Sequence, residues 1–184
     1  MEIAKAQEDM RSAYYGGAAG VLVSATAWLI AAMVALHSTQ LASIVTLYVG
    51  GMFIFPLSIV VSKLLGRSGI VSKGNTLGML GLESTGILIF CYPLAYVVSL
   101  VHVEWFYPAM LVLIGVRYLL FTTLYGHKVY WIFGIVLILA GYTLAISRLP
   151  FHVGAFVGSA LEYVFGMFIF VMHRKRFGIG GENV

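Results

Sequence analysis

Charge is what this sequence has least of. Lys, Arg, Asp and Glu together make up 10% of its 184 residues, against roughly 25% in a soluble globular chain. Cysteine is nearly absent as well. Cys91 stands alone inside an apolar segment, which excludes an intrachain disulfide and a thiolate-spaced metal site and leaves a small packing residue. Sequence patterns for chemistry are missing too. There is no helical His/Glu metalloprotease motif, no Gly-x-Ser-x-Gly elbow, no phosphate-cradling loop and no paired acidic motif, so no cofactor is implied. The first thirteen residues carry Glu2, Lys5, Glu8, Asp9 and Arg11. They have neither the positive n-region and small-residue cleavage site of a secretory signal nor a lipidation pattern, and they read as a retained polar lead-in, helical or partly disordered.

What is there is hydrocarbon. Hydrophobic residues make up 61% of the chain and mean hydropathy is +0.98, the composition of a membrane protein. Six apolar segments, at about residues 15–36, 41–62, 76–101, 106–124, 129–147 and 152–172, are each long enough to cross a core of roughly 30 Å. The sequence predicts an all-α bundle of six transmembrane helices in three consecutive hairpins, occupying residues 14–173. The lead-in covers 1–13 and a basic, glycine-rich tail covers 174–184. Most connections are short turns. Only residues 63–75, with Lys63, Arg67, Lys73 and three glycines, form a longer loop, read as flexible and polar.

The net charge of +4 does not indicate nucleic acid, because the basic residues mark helix ends rather than one face. Lys5, Arg11, Lys63, Arg67, Lys73, Lys128, Arg174, Lys175 and Arg176 fall on one side of the predicted bundle and only Arg148 on the other. By the positive-inside rule both termini are cytoplasmic, and an even number of spans agrees. The loop cations face anionic lipid headgroups. Trp28, Trp105 and Trp131 with Tyr14, Tyr15, Tyr107 and Tyr130 lie toward segment ends, as interfacial anchors do.

Tyr48-Val49-Gly50-Gly51-Met52-Phe53-Ile54-Phe55 recurs as Tyr163-Val164-Phe165-Gly166-Met167-Phe168-Ile169-Phe170, and Tyr15, Val21, Leu22, Ala25 and Leu29 match Tyr130, Val136, Leu137, Ala140 and Leu144 at the same offset. This predicts a parallel repeat of the first and third hairpins, or a coincidence of a small apolar alphabet. Gly16 with Gly20, continued by Ala27, Ala31 and Ala35, and Gly154, Gly158, Glu162 and Gly166 are small-residue stripes that mark helix contacts. Pro56 and Pro93 each free a backbone carbonyl, to kink a helix or serve a site.

Three formal charges fall inside the apolar segments: Glu83, Arg117 and Glu162. At 1.5 Å per residue their depths are roughly 10, 10 and 15 Å from one end, so they can meet. A salt bridge from Glu83 to Arg117 is expected, with Ser84, Thr85, Tyr118, Ser159 and Tyr163 as hydrogen-bonding neighbours. Glu83, Arg117, Glu162, Ser84, Tyr118 and Tyr163 form the candidate ligand or ion site. A buried pair that only fixes helix register is the structural counterpart. His37, His102 and His152 sit in three turns on the opposite side, with Glu104 beside His102, and are candidates for a metal or pH-sensing site, though without metal-motif spacing.

Ala13-Tyr14-Tyr15-Gly16-Gly17, the stretch from Gly50-Gly51 to Pro56-Leu57-Ser58, Lys63-Leu64-Leu65-Gly66-Arg67-Ser68-Gly69 and Leu82-Glu83-Ser84-Thr85 resemble an uncharacterised family of small bacterial multi-pass membrane proteins, a domain of unknown function. The resemblance is best in the first half. It implies the bacterial inner membrane and supplies no activity. Three consecutive hairpins are also similar in architecture to small stress-associated bacterial membrane proteins. The functional expectation is binding or transport of a small cation, proton or small amphipathic molecule. A non-transporting scaffold or stress-response partner is the alternative and a lipid-modifying enzyme the third reading. The lipid bilayer is the partner, with assembly into a homo-oligomer left open.

Overall fold

The computed structural model describes residues 2–178, and the side chains of residues 2–174. Among the described residues there are only helices: α1 Ile3–Tyr14, α2 Ala18–His37, α3 Gln40–Leu64, α4 Thr76–Val101, α5 Phe106–Tyr125, α6 Val129–Ser147 and α7 Phe151–Gly178, with single 3-10 turns at Tyr15–Gly17 and Val103–Trp105. The helices α2 to α7 are six segments long and apolar enough to cross a membrane, and the chain is a multi-pass membrane protein. α7 runs past residue 172 to Gly178, so the first part of the tail expected at 174–184 is helical and residues 179–184 lie outside the described residues.

The ends are set locally. Thr39 caps α3 by accepting from the Ala42 amide (3.1 Å), and Asn75 caps α4 by accepting from the Leu77 amide (3.0 Å), satisfying donors that a helix start leaves orphaned. α5 stops at Gly126 in the left-handed conformation, the usual device for ending a helix. α2 does not run straight out of α1. Gly16 and Gly17 take φ of +63° and +91°, breaking the helix so that α1 turns across the end of the bundle. Gly16, where the contact stripe was expected to open, is both: it is the hinge, and it lies against the His173 ring of α7.

α2 is the central helix and packs on α3 and α7, while α5 packs on α6 and α4. α7 therefore lies chiefly against α2 rather than against its sequence neighbour α6. Glycine makes these contacts close. A Cβ on Gly158 would come within 2.4 Å of the Trp28 ring, one on Gly166 within 2.8 Å of Leu22, and one on Gly154 within 2.6 Å of Tyr107. The α7 stripe thus faces α2 and α5. α5 and α6 touch backbone to backbone: a Cβ on Gly115 would stand 2.7 Å from the Gly134 carbonyl oxygen, and one on Gly134 2.6 Å from that of Gly115. Without a hydrophobic drive between helices in lipid, this dispersion contact holds them.

Three of the expected interfacial anchors are core residues. Trp28, Tyr107 and Tyr130 are 1%, 0% and 0% exposed, because the glycines opposite them leave ring-sized space. Tyr107 bonds Ser43 and Tyr130 donates to the Gly16 carbonyl (2.6 Å), so each buried hydroxyl has a partner. Trp131, by contrast, is 52% exposed.

The lead-in is a docked helix. Gln7 donates to the Thr123 carbonyl (2.9 Å) and Arg11 to the Tyr125 carbonyl (2.7 Å) at the end of α5. The Asp9 carboxylate accepts from the Ser72 amide (2.9 Å), the Ser72 hydroxyl (2.8 Å) and the Asn75 side chain (2.8 Å). The Gly69 amide donates to Ala13 O (3.1 Å). The connection expected to be a flexible polar loop is therefore tied to α1 at three points, since one carboxylate offers several acceptor positions to a loop rich in free donors.

Candidate functional site

α3 and α4 each pack on an inner helix, α2 and α5 respectively. They meet each other through Tyr92, whose hydroxyl donates to the Leu47 carbonyl (3.3 Å) and whose ring meets Tyr48 edge-on at 5.1 Å. Between them lies a cavity of about 340 Å³, closed behind by Val21, Ser24 and Trp28 of α2 and Ile114, Arg117 and Tyr118 of α5, and at the α1 end by Met10 and Tyr14. Its outer lining includes Phe55, Leu82 and Ile89, which are 49%, 59% and 39% exposed, so the cavity opens sideways between α3 and α4 onto the lipid-facing surface. The volume lies within the range of small-molecule pockets, about 300 to 1,000 Å³.

The walls are apolar or aromatic with few polar groups, and among the described lining residues Arg117 carries the one formal charge. Its Nη2 donates to the Thr85 hydroxyl (2.8 Å), and the guanidinium lies 5.1 Å from the centre of the Phe121 ring. Thr85 in turn donates to the Gly81 carbonyl (3.0 Å), which aims its lone pairs at the arginine. The Nε is buried without a hydrogen-bond partner. An arginine side chain stays protonated in proteins, so the cavity holds a fixed positive charge.

The other candidates are distributed around it. Tyr118, one residue on from Arg117, turns into the core between Phe121, Phe133 and Tyr130 and donates to Glu162 Oε1 (3.1 Å). Glu162 is 1% exposed, with its second oxygen unpartnered. Ser159 donates to the Ala25 carbonyl (3.0 Å) and Ser84 to the Gly81 carbonyl (2.8 Å). Tyr163 shares a hydrogen bond of 2.8 Å with Thr26, away from the cavity.

Glu83 is not part of this group. It lies on the exposed face of α4, and the expected ion pair to Arg117 is absent among the described residues, where Arg117 bonds Thr85 instead. Successive helical residues are turned by about 100°, so residues two apart point to nearly opposite sides and only one of Glu83 and Thr85 can face α5. His37, His102 and His152 form no metal site either, since no group of three His, Cys, Asp or Glu side chains among the described residues is placed to hold an ion. His102 rests on Trp105 and His152 on Phe156.

Sequence reasoning missed Tyr48, Tyr92, Gly81 and Trp28 as lining residues. One signal was present. Pro56 and Pro93 remove the helical partners of the Met52 and Ile89 carbonyls, and both of those residues line the cavity.

A family model described as Family of unknown function (DUF7010) matches residues 3–172. No curated protein and no solved structure matches the chain.

Proposed function

Since the chain belongs to this family of unknown function, we propose its role from the cavity: the protein binds a small amphipathic molecule that enters from the bilayer between α3 and α4. The observation that carries this reading is an apolar cavity, open sideways, with a single part-buried guanidinium on its inner wall. For a ligand already in the bilayer the apolar walls accept its chain at little cost, and the one placed polar group sets its orientation and selectivity. A free metal ion or proton is served less well. The cavity offers no carboxylate, because Glu83 is on the outer face and Glu162 stands behind Tyr118, and Arg117 repels a cation. In this reading the α1 end faces the cytoplasm of a bacterial inner membrane, because Lys and Arg concentrate there. Tyr118 and Glu162 hold α5 to α7 and so keep the back wall in place.

Trp28 lines the cavity and is otherwise buried, which gives a direct readout. In a Trp105→Phe, Trp131→Phe background in nanodiscs of neutral lipid, amphiphiles with a brominated decyl chain should quench Trp28 saturably with at least one head group. Gly81→Leu should abolish that quenching without unfolding the protein. A Cβ at Gly81 finds only Leu124, at 3.9 Å, so the new side chain extends into the cavity and not into backbone. Quenching that rises linearly with every head group, or that survives Gly81→Leu, would reject the site.

A further inference from the structure

Resting on that reading, we infer that the ligand is a single-chain amphiphile with an anionic head, its head on Arg117 and its tail between α3 and α4. The inner wall presents a permanent cation, Arg117, whose Nε is buried and whose terminal N–H groups are what a ligand can reach. One Nη is already spent on Thr85, which fixes the plane of the guanidinium, and no carboxylate among the described residues lines the cavity to neutralise it. A desolvated arginine in this state favours an oxyanion, which forms charge-assisted hydrogen bonds with the remaining N–H groups. A neutral head forms only the weaker neutral hydrogen bonds with those N–H groups, and a cationic head adds repulsion. The tail end is equally defined. From Arg117 the cavity passes Tyr92 and Leu88 to Phe55 and Ile89 at the opening, so the apolar part of the ligand reaches the bilayer while its head stays inside. Counting roughly 30 Å³ for each water-sized group, about 340 Å³ encloses the head and one short chain of about ten such groups. The shared chemistry is an anionic head on one short chain, whether the source is a fatty carboxylate or a monoalkyl phosphate.

The test compares brominated decyl chains carrying carboxylate, phosphate, hydroxyl or trimethylammonium heads, read by Trp28 quenching in the same neutral nanodiscs. Carboxylate or phosphate, or both, should bind at least about tenfold more tightly than the alcohol, and trimethylammonium should be weakest. The stronger of the two anions identifies the source. Arg117→Gln should bring the anions down to the level of the alcohol measured on the same variant, and Arg117→Lys should keep the order with smaller ratios. If Arg117→Gln fails to fold, Thr85→Val, which frees the guanidinium, should narrow the gap between anion and alcohol in a folded protein. Equal binding of all heads, or preference for trimethylammonium, would overturn the anionic assignment yet leave the amphiphile site standing. No saturable quenching by any head would overturn both.

Discussion

Gly16→Ala is expected to be among the most destabilising single substitutions in the chain and to release α1 from the end of the bundle. Gly16 sits at φ +63°, where a side chain is strained, and its Cβ would come within 2.1 Å of the His173 ring, which is itself 2% exposed and has nowhere to swing. Strain of about 1–3 kcal/mol for the left-handed backbone adds to about 1–3 kcal/mol for overpacking. Gly66 separates the two effects, because its φ is +77° but a Cβ there meets nothing within 4 Å. Gly66→Ala should show the backbone cost alone. Unfolding by denaturing detergent gives the stabilities, and limited proteolysis reports whether α1 is released. Equal losses for the two variants would mean that the packing of α7 over the hinge contributes nothing.

Gly134→Ala is the second large effect. Its Cβ would stand 2.6 Å from the Gly115 carbonyl and 2.7 Å from Leu119, so α5 and α6 must move apart and lose contacts along their length. A loss of about 1–3 kcal/mol is expected. Gly86→Ala, in the middle of α4 with nothing within 4 Å of its Cβ, should be neutral or slightly stabilising, by up to about 1 kcal/mol of helix propensity. Separation of α5 from α6 also displaces Arg117, so Gly134→Ala should weaken amphiphile binding, whereas Gly86→Ala should not.

The number and extent of the helices were legible because a bilayer permits little else: runs of about twenty apolar residues broken by charged or glycine-containing turns have one reading. The α7 stripe was legible for a similar reason, since Gly154, Gly158 and Gly166 recur on one face. Rotation about each helix axis was not. Every face of α4 is apolar, so nothing in its pattern says that Thr85 rather than Glu83 turns toward Arg117. A lone acid in a hydrophobic segment invites pairing with the nearest cation, yet one helical step of about 100° decides the matter. Trp28 is a different case: it stands in the middle of α2, Ala18–His37, too far from either end for an interfacial belt, and the glycine that receives it, Gly158, lies 130 positions away in the sequence. The cavity itself arises from two helices that fail to close on each other, a property of pairs that no single segment carries.

Amphiphiles are expected to occupy the space between α3 and α4. A decanoate carrying a diazirine in its chain, photolysed with the protein in neutral-lipid nanodiscs and mapped by peptide sequencing, tests this most directly. Saturable labelling should fall on cavity residues such as Met52, Phe55, Leu88 and Tyr92, should be competed by unlabelled decanoate and should vanish in Gly81→Leu. Labelling confined to lipid-facing positions such as Phe90, Ile132 and Leu139, uncompeted and unchanged by Gly81→Leu, would contradict it.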